Sequence, residues 1–273
     1  MSDRKPISTG RNLPVAIAVG LALGGLVLVT LLTVKVTFLV FVALIVAVAL
    51  WELTRALAAE QIKIPVIPVG IGGAAMLALA YWRGSGPALA VLAVTFIAVL
   101  AWRLLGGADG YVRDTTAGIF ALIYLPTLAA FVALMLAQPD GAHRALVFVI
   151  LAVCSDSGGY FAGIMFGRHP MAPAISPKKT WEGLAGSALL CFAAGALGMA
   201  FLLHAAVWKG FVLGSAALAA ATLGDLVESM IKRDLNTKDM SSILPGHGGI
   251  LDRIDGLLVV APVAWIVLTL LLP

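Results

Sequence analysis

Five carboxylates crowd one stretch of an otherwise apolar chain. Asp234, Asp239, Asp252 and Asp255 fall within residues 229–255, and Asp225 lies just upstream. Lys232, Arg233, Lys238 and Arg253 stand among them. Charge is costly in hydrocarbon, so such a segment must sit in water or in a polar cavity. Asp225 and Glu228 are three residues apart, as are Asp252 and Asp255, so each pair shares a helix face. Asp252 and Asp255 near a helix start would complement its dipole, a role that needs no ligand. That role does not explain Asp225, which sits inside an apolar run. We therefore expect Asp225, Asp252 and Asp255 to converge on a divalent cation. Oxygen ligands without Cys or His suit Mg²⁺. Glu228 and Lys232, four apart, are explained as well by an intrahelical ion pair as by ligation.

Two further features point to phosphate, and a third to a polar cavity. Pro245-Gly246-His247-Gly248-Gly249 is a turn whose glycines let backbone N–H groups approach an anion. With Lys238 and Arg253 on either side it reads as a phosphate cradle, and His247 as a donor to a phosphate or leaving group. Ser176-Pro177 reads as a helix N-cap and first turn. Lys178 and Lys179 would then oppose the helix dipole, a conflict that a bound anion relieves. The simpler reading of these lysines is anchoring at the membrane surface. Asp156, inside an apolar run, must face a polar cavity or a partner. Ser157, Gly158 and Gly159 beside it would admit a ligand or a neighbouring helix. There is no Walker A pattern, nucleophile elbow, dinucleotide fingerprint or paired-histidine zinc motif.

These residues need a frame, and the apolar runs supply it. The 273 residues are 61% hydrophobic and 12% charged, against about 25% charged in soluble domains. Runs of about 20 apolar residues mean an all-α, polytopic integral membrane protein. We place nine transmembrane helices near 14–34, 36–54, 64–82, 87–105, 116–137, 145–166, 184–204, 208–230 and 256–272. The break beside Lys35 is the least marked. The polar N-terminus followed by Val15–Leu32 resembles a signal peptide, but the run lacks a cleavage site and is read as the first span.

With a cytoplasmic N-terminus, all but four of the 18 lysines and arginines fall on the cytoplasmic side. Lys35, Arg83, Arg144 and Lys209 are left, one in each outer loop. This assigns residues 167–183 and 231–255 to cytoplasmic loops, in a catalytic region 141–273. The region 1–140 carries few motifs and is a candidate for dimer contacts. The net charge of +4 fits loops facing anionic lipid, and no basic arm or motif suggests nucleic acid. Cys154 and Cys191, both in apolar runs, read as free thiols.

Taken together, the motifs resemble the phosphatidate cytidylyltransferase (CDP-diacylglycerol synthase) family. Its signature is matched by Ser229, Lys232, Arg233, Asp234, Lys238, Asp239, Pro245 to Gly249, Asp252, Arg253 and Asp255. Ser176 to Gly183, including Lys179 and Thr180, matches a second family segment, and Asp156 to Tyr160 a third. The resemblance is sharp over residues 150–256. It implies a homodimer in the cytoplasmic membrane that joins CTP to phosphatidate, releasing pyrophosphate, with the site facing the cytoplasm. It implies Mg²⁺, with or without K⁺, on Asp225, Asp252 and Asp255. Lys179, Lys232, Arg233, Lys238 and Arg253 are candidates for the remaining phosphates. We expect phosphatidate to reach the site sideways from the inner leaflet. A CTP-dependent polyprenol or phytol kinase, and a cation-coupled transporter using Asp156, Asp225 and Asp255, are the alternatives.

Overall fold

A computed structural model describes residues 13–243 and 248–272. Nine long helices follow one another among them: α1 (Leu13–Thr33), α2 (Lys35–Ala59), α3 (Val66–Arg83), α4 (Ser85–Leu104), α5 (Tyr111–Leu136), α6 (Gly141–Phe166), α7 (Trp181–Leu202), α8 (Val207–Asp234) and α9 (Leu251–Leu271). Helices α2 to α9 are each long and apolar enough to cross a membrane. At 21 residues and 1.5 Å per residue, α1 is about 31 Å long, also sufficient. A helix is present at each of the nine expected positions.

The break after α1 is one residue wide. Val34 is extended, at φ −135° and ψ 118°. Thr37 Oγ1 donates to the carbonyls of Val34 and Thr30, which closes the corner. Lys35 donates to the carbonyls of Gln138 (2.5 Å) and Pro139 (3.1 Å), just past the end of α5.

Helix α5 starts earlier than its hydropathy suggests. Gly110, at φ 65°, turns the chain, and Arg113 and Asp114 belong to the first helical turn. Asp114 is buried yet neutralised, by Arg103 at 3.0 Å and Arg113 at 3.1 Å. Pro126 cannot donate to the helical ladder, and α5 relaxes into a π turn at Ile123–Thr127. Thr127 Oγ1 donates to Leu122 O at 2.8 Å there.

The expected helix start at Ser176-Pro177 is corrected. Ser176–Thr180 is a strand, β2, paired antiparallel with β1 (Pro170–Ala172). Helix α7 begins at Trp181, with extended Thr180 as its N-cap accepting from Gly183 N at 3.1 Å. Pro177 disfavours helix in the residue before it, and β-branched Thr180 suits an extended cap. Lys178 and Lys179 therefore precede the helix and do not oppose its dipole. Glu182 accepts from Arg168 N, His169 N and His169 Nδ1, fastening the hairpin to α7.

Helices α6, α7, α8 and α9 pack in succession, and α9 joins this group to α5 and α2. The apolar core runs continuously through both groups, with Leu53, Leu125, Leu151, Leu213 and Val260 fully buried.

Candidate active site

A cavity of about 970 Å³ opens where α6, the hairpin, α7, α8 and the start of α9 meet. Of the residues singled out from the sequence, Asp156, Ser176, Lys179, Thr180, Asp225, Asp252, Arg253 and Asp255 all line it. Asp156 on α6 thus faces a polar cavity. The small residues after it let α7 close in: a Cβ on Gly158 would lie 2.6 Å from Gly186 O. Ser187 Oγ on α7 donates to Ser155 O at 2.5 Å.

The decisive geometry is the crossing of α8 and α9. A Cβ on Gly224 would lie 2.6 Å from the carbonyl oxygen of Asp255. One on Gly256 would lie 3.3 Å from Oδ1 of Asp225. The glycine beside each aspartate removes the side chain that would hold the helices apart. The turns bearing Asp225 and Asp255 therefore touch, and both side chains line the same cavity. Lys179 reaches across from β2 to place its ammonium 2.5 Å from Asp225 Oδ2.

Asp252 is used differently. Its Oδ1 accepts from Lys232 at 2.9 Å. Its Oδ2 accepts from Gly249 N at 2.7 Å and Met240 N at 3.0 Å. This is the helix-start role left open above, and it folds the polar segment back onto α9. Among the described residues, no three His, Cys, Asp or Glu side chains are gathered tightly enough to hold a metal ion by themselves. Asp225 and Asp255 still bring hard carboxylate oxygens to one cavity wall. The Lys179 ammonium on Asp225 stands where a cation is wanted. This donor set fits Mg²⁺ better than a soft metal.

Lys232 bridges two helices, pairing with Glu228 one turn before it and with Asp252. The intrahelical pair expected for Glu228 and Lys232 is present, and Glu228 is buried. Gly248, at φ 85°, packs behind the cavity, where a Cβ would lie 2.9 Å from Asp252 Oδ2 and 3.2 Å from Asp239 Oδ1. Arg233 and Lys238 are exposed and lie outside the cavity lining. His247, with Leu244, Pro245 and Gly246, lies outside the described residues.

One polar residue of the site's surroundings escaped the sequence reading. Glu52, in α2, is fully buried and accepts from Ser241 Oγ, Ile250 N and Leu251 N. The signal was available: an acidic residue inside an apolar span needs a partner or a cavity.

The cytidylyltransferase family matches residues 14–271. The phosphatidate cytidylyltransferase of Mycobacterium leprae (strain TN) is 42% identical over 286 aligned positions, covering 99% of this chain and 92% of the relative. That of Mycobacterium bovis (strain ATCC BAA-935 / AF2122/97) is 40% identical, covering 96% of this chain and 90% of the relative. A relative of the same name from Thermotoga maritima is 36% identical over 193 positions, 66% of this chain and 69% of the relative. With a match along nearly its whole length, this multi-pass membrane chain belongs to the cytidylyltransferase family.

Proposed function

We propose that the chain transfers the cytidylyl group of CTP to phosphatidate, giving CDP-diacylglycerol and pyrophosphate. The observation that carries this reading is the meeting of Asp225, Asp255 and Lys179 at one cavity that also has an apolar margin. Tyr160 and Phe161 line the cavity yet are 63% and 62% exposed, on a helix that crosses the membrane. A nucleotide needs the charged wall, and a lipid phosphate needs the greasy margin beside it.

The chemistry asks little of a general base. A phosphate monoester is already anionic at neutral pH, so its oxygen can attack the α-phosphorus of CTP directly while pyrophosphate leaves. Both reactants are negative, so neutralising their charge and aligning them carries the rate. Lys178, Lys179 and Arg253 line the cavity and are placed to receive phosphate oxygens. Asp225 and Asp255 would hold Mg²⁺, with or without K⁺, and Asp252, in the first turn of α9, would join them by releasing Lys232 from its Oδ1. When bound, the metal supplies charge neutralisation and alignment of the attacking and leaving oxygens. Asp156 and Thr180 complete the wall on the α6 and hairpin sides.

We read the site as facing the cytoplasm, on the charge bias of the loops. Phosphatidate then arrives sideways past Tyr160 and Phe161. We also read the active species as a homodimer, with residues 1–140 as candidate contacts and no nucleic-acid partner.

Purified protein given phosphatidate, Mg²⁺ and CTP labelled separately at its α- and γ-phosphates tests the reaction. The α label should enter the lipid fraction as CDP-diacylglycerol, and the γ label should appear in pyrophosphate. Gamma label in the lipid with release of CDP would identify a lipid kinase instead.

A further inference from the structure

Glu52 is the one acidic residue of α2, flanked by Trp51 and Leu53 in an apolar span. It is fully buried. A buried carboxylate is tolerated only when its oxygens are well satisfied. Glu52 meets that demand with three donors: Ser241 Oγ at 2.5 Å, Ile250 N at 2.9 Å and Leu251 N at 2.7 Å.

Ser241 and Ile250 belong to the segment that joins α8 to α9, and Leu251 opens α9. Ile250 and Leu251 are the N-cap and first residue of α9, so their amides are among those that a helix start leaves unpaired. Gly249 N, the amide just before them, goes to Asp252. Three successive amides are thus held by two carboxylates, one from α9 itself and one from α2. The fit leaves no room: a Cβ on Gly249 would lie 2.8 Å from Glu52 Oε1.

We infer that Glu52 is a positioning residue for the reaction. It sets where α9 begins, and so fixes the turn from which Asp252 and Asp255 reach the cavity. It is not itself among the residues that line the cavity. The inference rests on the cytidylyl-transfer reading, because it takes α9 as the carrier of catalytic carboxylates. The N-terminal half, poor in motifs, thereby contributes directly to the order of the site.

The test uses the full-length purified protein. Glu52→Gln keeps the shape but replaces one acceptor oxygen with a donor that faces an N–H or a hydroxyl. Glu52→Asp keeps the charge on a shorter arm. Leu53→Ala, at a buried neighbour whose side chain can make no hydrogen bond, is the control for simple loss of packing. Steady-state kinetics are read beside hydrogen exchange of peptides covering 248–256. Glu52→Gln should lower kcat about ten- to a hundredfold, the range for one lost charge-assisted hydrogen bond. Exchange should quicken at residues 249–251, with the KM for CTP changed much less than kcat. Glu52→Asp should recover part of the kcat. Leu53→Ala should lower thermal stability without changing exchange at 249–251.

Wild-type kcat and wild-type exchange in Glu52→Gln would overturn the inference. So would an equal loss of kcat in Leu53→Ala. If Glu52→Gln does not fold, Ser241→Ala, which removes one donor, is read the same way. It should give the same pattern at smaller size, and wild-type kcat and exchange in it would overturn the inference. The exchange arm needs no substrate. A wild-type protein that makes no CDP-diacylglycerol would sink the proposed reaction while leaving the anchoring to be read separately.

Discussion

The cavity wall and the far end of the helix bundle use their basic side chains in different ways. At the end away from the cavity, Lys35 donates to the carbonyls of Gln138 and Pro139. Arg144 donates to Leu272 O (3.3 Å) and pairs with Asp140 (2.7 Å), and Lys209 donates to Leu271 O (2.7 Å). Each of these cations closes the C-terminus of a helix, where the dipole favours positive charge by about 0.3–1 kcal/mol. At the cavity end, Lys179 sits on Asp225, and Lys232 sits on Glu228 and Asp252. These partners are carboxylates, not backbone. A backbone carbonyl at a helix end is a capping partner whose alternative is water. A carboxylate facing a cavity can exchange its lysine for a metal ion, and the freed lysine can take a phosphate. The difference lies in the partner, not in the number of charges.

That contrast can be broken most sharply at the aspartates. Asp225→Asn and Asp255→Asn should each reduce CDP-diacylglycerol formation on the order of 10³-fold or more while membrane insertion persists. Near-normal turnover in either variant would remove that residue from the site. Lys179→Met should lower kcat/KM about 10²-fold, as expected for one lost phosphate contact in a water-poor site. Gly224→Ala adds a methyl 2.6 Å from Asp255 O. Prying α8 from α9 should slow turnover about tenfold, with the 1–3 kcal/mol strain typical of overpacking. At the other end, Lys209→Met should leave kcat unchanged and reduce stability by less than about 1 kcal/mol, read by thermal unfolding. A kinetic defect there would end the distinction between the two ends.

Much of this was legible in the sequence, because lipid leaves few choices. Apolar runs of fixed length gave all nine helices, and even the break at Lys35 is present, tied down by the carbonyls after α5. The family resemblance grouped the stretches that carry Asp156, Lys179, Asp225 and Asp255, and all four line one cavity. The misreadings are local. Ser176-Pro177 carries a helix-start pattern, yet pairing with Pro170–Ala172 draws it into a strand, and the cap moves to Thr180. Asp252 lines the cavity with Asp225 and Asp255, as the sequence suggested. Its use by Gly249, Met240 and Lys232 depends on a fold-back that no periodicity encodes. Glu52 was passed over because its partners lie about 190 to 200 positions away in the chain.

The central claim is that carboxylates from two helices, α8 and α9, act on one cation in the presence of CTP. Binding of Mn²⁺ in place of Mg²⁺, followed by electron paramagnetic resonance on the purified protein, tests it without turnover. The wild type should show a CTP-enhanced site that is lost to the same degree in Asp225→Asn and in Asp255→Asn. Unchanged Mn²⁺ binding in Asp255→Asn, with loss in Asp225→Asn alone, would mean that the two helices do not share a site.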